Sequence, residues 1–119
     1  DSYNCELCIM QKRETVYHLF FRCNFAKACW RSIGITYVHT RPIWNIIEQI
    51  KRKLGVPFFM EIIVLLAWSI WTTRNDWMFK NVDPLILSCN GKFISEFKDL
   101  LLRARPRHQQ QMEVWIQSL

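Results

Sequence analysis

Apolar residues along this chain recur mainly at intervals of three and four, the period of helices packed against a core. The clearest case is IWNIIEQIKRKL, where Ile43, Ile46, Ile47, Ile50 and Leu54 form one stripe. Thr40 and Pro42 supply its start and Gly55 its stop. Upstream, FAKACWRSI predicts a shorter helix with Asn24 as N-cap and Gly34 as terminator, Phe25, Cys29 and Ile33 sharing a face beside Ala26 and Trp30. Residues 35–41 form a connector in which His39 has no partner at metal spacing.

Downstream of Pro57 the segment FFMEIIVLLAWSIWTTRNDWMFKN is apolar nearly all round in its first half, which predicts the buried centre of a bundle. Val64, Trp68, Trp71 and Met78 continue an apolar line at heptad-like spacing, with Asn75 on the same line. Only Glu61 is charged between Lys53 and Arg74, so a membrane span has to be weighed. Glu61, the polar residues Ser69, Thr72 and Thr73, and the continuation of the stripe argue against it. Asp83 and Pro84 then start a further helix with Leu87, Phe93, Ile94, Phe97, Leu100 and Leu101 facing inward. Asn90-Gly91 is a turn signal at which that helix would break in two. Met112, Trp115, Ile116 and Leu119 make a last amphipathic segment that docks on the bundle or on a partner.

The expectation is an all-α fold, one domain over 1–119. It divides into a metal-binding knot and first helix (1–34), a helical bundle (42–105) and a C-terminal tail or short helix (106–119). Three glycines and four prolines are too few for a turn-rich β fold.

The knot changes the picture most. Cys5-x2-Cys8 is followed by nine residues, then His18-x4-Cys23, giving three thiols and an imidazole, the donor set of a tetrahedral zinc site. Four protein ligands leave no open position, so one such Zn2+ is structural. A disulfide, a spare cysteine and an unrelated histidine would also account for the residues. Both inner spacings fit metal, and zinc is the reading adopted. Its loss is expected to unravel about the first quarter of the chain and leave helix in the remainder. Within TVYHLFFRC, Thr15 would cap a short helix whose apolar face holds Val16, Leu19 and Phe20, although a strand also suits these residues.

Cys29 and Cys89 are then left as core thiols, which suits a reducing compartment. No signal peptide opens the chain, and an intracellular protein, nuclear or cytoplasmic, is expected. The first residue is Asp rather than Met, as in a piece of something longer. Net charge is +6, and residues 1–57 carry nine Lys/Arg against four Asp/Glu. The candidate phosphate contacts are Lys12, Arg13, Arg22, Lys27, Arg31, Lys51, Arg52 and Lys53. Lys51–Lys53 also suit the negative end of their helix dipole. Arg103, Arg105, Arg107 and His108 read as a solvated helix end, with a phosphate-contacting tail as the competing reading. No phosphate loop, nucleophile elbow, free Cys–His pair or acidic cluster occurs, so no enzyme is expected.

The run Cys5-x2-Cys8…Glu14-Thr15-Val16-Tyr17-His18-Leu19-Phe20-Phe21-x-Cys23-x-Phe25-Ala26-x3-Trp30 resembles the zinc-binding domain that follows the reverse transcriptase in plant LINE-type (non-LTR) retrotransposons. Trp68-Ser69-Ile70-Trp71-x2-Arg74-Asn75-x3-Phe79 looks like a second segment of the same family. The resemblance implies Cys5, Cys8, His18 and Cys23 as zinc ligands, and a non-enzymatic domain that helps the element's protein hold RNA or DNA. Because such sequences are also captured by host genomes, the alternative is a domesticated module that binds another protein.

Overall fold

The computed structural model describes residues 18–119, and every regular element among them is helical. A π-helical turn, His18–Arg22, leads into α1 (Asn24–Ser32), α2 (Ile43–Leu54), α3 (Phe59–Lys80), α4 (Ile86–Arg103) and α5 (Pro106–Gln117). The expected cap at Thr15 lies outside the described residues.

The π-helical turn is clamped by aromatic residues. Trp30, fully buried on α1, donates its indole N–H to the Phe20 carbonyl at 2.9 Å, and the Tyr37 hydroxyl donates to the Phe21 carbonyl at 2.6 Å. Phe21 stacks on Trp30 with centroids 5.7 Å apart, and Tyr37 meets both rings edge-on. Burial pushes the Tyr37 hydroxyl above its ordinary pKa, so it remains a donor. Cys23, not Asn24, holds the N-cap position of α1, and no side-chain cap bond forms there. Gly34 at φ +83° stops the helix, a left-handed conformation that glycine adopts without a Cβ clash.

α2 buries the expected stripe, with Ile46 and Ile50 fully inside and Ile43, Ile47 and Leu54 partly so. Gly55 at φ +60° sits at its C-cap and donates to the Lys51 carbonyl. The chain then bends by 116° into α3. No single helix among the described residues is long and apolar enough to cross a membrane, although the bent α2–α3 pair passes by length and composition.

The α3–α4 pair forms the centre. The inward face of α3 is Ile62, Ile63, Leu66, Ser69, Ile70 and Thr73. Ser69 and Thr73 satisfy their hydroxyls on the carbonyls of Leu65 and Ser69, at 2.8 and 2.7 Å, so both can be buried at little cost. The heptad-spaced line of Val64, Trp68, Trp71 and Met78 lies on the opposite face, and all four are exposed. A helix apolar all round gives its period no power to choose a face, and the smaller β-branched and hydroxyl side chains lie next to α4.

α4 is continuous through Asn90-Gly91, against the expected break. Cys89, Phe93 and Phe97 recur every four residues as one buried line, and this packing outweighs the local turn preference. Leu87 falls off that line and is exposed instead of inward. α4 begins at Ile86 with Leu85 at the cap, rather than at Pro84. α5 docks on the bundle through buried Met112, with Trp115 packed on Phe58, Phe93 and Phe97 at centroid distances of 5.1–6.3 Å.

Polar contacts fasten the layers. Lys92 on α4 donates to Asp76 at 2.8 Å and to Thr73 at 3.3 Å on α3, while Lys80 lies 3.6 Å from Asp76. The Lys92 hydrogen bond holds the Asp76 carboxyl below the usual carboxylate range. Asn90 donates to the Ser32 hydroxyl at 3.0 Å, linking α4 to α1. One turn earlier on α1, Cys29 is fully buried with Cys89. Their mutual hydrogen bond, reinforced by burial, holds the Cys29 thiol well above its ordinary pKa. Both are core thiols, as expected.

Candidate nucleic-acid interface

The eight basic candidates fall into three groups. Lys12 and Arg13 lie outside the described residues. Arg22, Lys51 and Arg52 have structural engagements. Arg22 donates to the carbonyls of His39 and Arg41 at 3.0 and 3.3 Å, tying the π-helical turn to the connector. Lys51 sits over the Phe59 ring, 5.2 Å from its centroid, and Arg52 pairs with Glu48 one turn back at 3.3 Å.

Lys27 and Arg31 share a cleft, and Lys53 is bonded to a residue of its lining. Lys27 and Arg31 are four residues apart on α1, hence on one face, and Arg31 is exposed. They line an open cleft of about 400 Å³ with Asn24, Ile35, Thr36 and Tyr37. Lys53 arrives from the last turn of α2 and donates to the Thr36 carbonyl and, at 3.0 Å, to the Thr36 hydroxyl. Among the described residues no acidic side chain lines this cleft. The connector is held over it because Gln49 accepts from the Val38 N–H at 3.0 Å and the half-buried Tyr37 packs against Phe21 and Trp30. Asn24, Thr36 and Tyr37 were not legible as site residues. Their place depends on how the connector folds back, which no short-range spacing encodes.

Arg103, Arg105 and Arg107 are exposed, as a solvated helix end should be, and with His108 they also shape the surface. They line a second cleft of about 370 Å³, floored by Phe58, Leu100 and Met112, with Glu61 also on its wall.

Of the expected zinc ligands, Cys5 and Cys8 lie outside the described residues, and His18 opens the π-helical turn. Cys23 is buried at the entry to α1, and its carbonyl accepts from the Lys27 N–H at 2.9 Å. A thiol held in the interior by a clamped turn fits one corner of a closed structural site. Among the described residues no three His, Cys, Asp or Glu side chains are grouped to hold a metal.

Comparison with protein-family models, with curated proteins and with solved structures returned no match in any of the three.

Proposed function

We propose that the chain is a non-enzymatic, zinc-braced domain of retroelement origin that binds the phosphate backbone of RNA or DNA on behalf of a reverse transcriptase protein. The single observation that carries this reading is a cleft lined by Lys27 and Arg31, with Lys53 of a second helix bonded to its lining residue Thr36 and no acidic side chain among its described lining residues. Cations so placed neutralise phosphates and release counterions, giving affinity that is largely independent of sequence. Cys5, Cys8, His18 and Cys23 would hold the Zn2+, whose contribution is structural: it would pin the N-terminal run to the turn that Trp30 and Tyr37 already clamp. The resemblance of both sequence segments to the retrotransposon domain supports the same reading.

The test is fluorescence anisotropy with single- and double-stranded RNA and DNA. Lys27→Glu with Arg31→Glu should weaken binding at least about tenfold, with far-UV circular dichroism unchanged. Equal affinity for the double variant and the wild type would contradict the proposal. Removal of zinc by a strong chelator should abolish the near-UV signal of the Phe21–Trp30–Tyr37 cluster while leaving helix in α3–α5. An unchanged spectrum and melting point after complete metal removal would rule out a structural ion.

A second reading, a protein-interaction module, is favoured by one specific observation: Trp44, Trp68 and Trp71 are all exposed.

A further inference from the structure

The outward face of α3 is a stripe of large apolar side chains left exposed among the described residues. Val64 is 57% exposed, Trp68 41%, Trp71 45% and Met78 39%, and Met60 and Phe79 flank them in solvent. Their spacing is regular. From Val64 the steps to Trp68, Trp71, Asn75 and Met78 are four, three, four and three residues, the a/d alternation of a coiled-coil seam. One position of that seam is polar: Asn75, at an a site flanked by Trp71 and Met78. A single asparagine at an a site sets register and restricts the number of strands, because its amide is satisfied by the same amide of an in-register partner.

We infer that the occupant of this face is a second copy of the chain, with α3 packed in register against its symmetry mate and Asn75 opposite Asn75. Charge favours a copy over an acidic or basic partner. Residues 58–82 carry Glu61 and Asp76 against Arg74 and Lys80, a net of zero within a chain of net +6, so two such faces meet without like-charge repulsion. Area points the same way. From these exposed fractions and the 150–250 Å² that an aromatic side chain can bury, the seam together with the flanking Met60 and Phe79 offers on the order of 600 Å² per copy. A standard interface takes about 800 Å² per partner, and about 1,200 Å² in total is its lower end, so the expected dimer is a weak, exchanging one. The seam spans about 21 Å of helix, and its two tryptophans sit at the centre, where interface anchors concentrate. This inference is independent of the phosphate-binding cleft, which lies on α1 and the 35–41 connector.

Sedimentation velocity on the chain, from about one to about a few hundred micromolar, tests it. The wild type should shift from monomer to dimer mass across that range. Trp68→Glu with Trp71→Glu should weaken association at least about tenfold with unchanged far-UV circular dichroism. If that double variant fails to fold, Val64→Lys, at the most exposed seam position, serves the same purpose. Asn75→Ile should tighten association and admit species larger than a dimer. A wild type that stays monomeric throughout overturns the inference. So does a dimer that survives the seam variants, and so does a monomeric chain that uses this face to bind a different protein.

Discussion

The two faces of α3 are made from equally apolar residues and do opposite things. The inward face is small and branched, with Ile62, Ile63, Leu66 and Ile70 interrupted by two hydroxyls that bond to their own helix. The outward face carries the larger side chains, Trp68, Trp71, Met78 and Phe79. Close approach of α4, with Phe93 and Phe97 already filling the space, selects compact side chains on α3. Hydrophobicity alone does not identify a core face; volume and hydroxyl satisfaction against the facing helix do.

The largest predicted effect separates the faces directly. Leu66→Ala opens a cavity under α4 and should cost about 2–5 kcal/mol, a large share of the roughly 5–15 kcal/mol that holds such a domain folded. Trp71→Ala, measured by denaturant melt at a concentration where the chain is monomeric, should cost less, about 1–2 kcal/mol, because nearly half of its surface is already exposed. Equal losses at the two positions would remove the distinction. A smaller effect is expected at Thr73→Val, which keeps the volume but removes the hydroxyl that donates to Ser69 and accepts from Lys92. The cost should be about 1 kcal/mol, since Lys92 retains Asp76.

The smallest effect concerns pH. Because its carboxyl is held below the ordinary range, ionised Asp76 stabilises the fold above its unfolded pKa, and that contribution is lost as pH falls through the depressed folded value. Asp76→Asn should therefore lower the melting temperature at neutral pH and narrow its difference from the wild type below about pH 4. A constant difference across the acid range would show that Asp76 contributes nothing through its charge.

Much of the helical scaffold was legible before folding because its cues were local. The α2 stripe, Gly34 and Gly55 as terminators, and Cys29 and Cys89 as core thiols each follow from spacing within one turn or from residue type. What failed or was left open was set between elements. The continuity of α4 through Asn90-Gly91 depends on Cys89 and Phe93 being buried, Leu87 faces solvent because the packed line runs from Cys89, and the face of α3 was chosen by α4. The candidate interface divides in the same way. Charge alone nominated Arg22, Lys51 and Arg52, which the fold uses to tie the connector, cover Phe59 and pair with Glu48. Thr36, the residue that gathers Lys53 to the cleft, carried no signal.

The most direct test of the proposed function is the salt dependence of nucleic-acid affinity for the wild type and for Lys27→Gln with Arg31→Gln. Each neutralised phosphate contributes a slope of about −0.7 to −0.9 in log affinity against log salt. The account predicts a steep slope for the wild type and one shallower by about 1.4–1.8 for the double variant. Coincident slopes, or no binding to RNA or DNA at low salt, would contradict it.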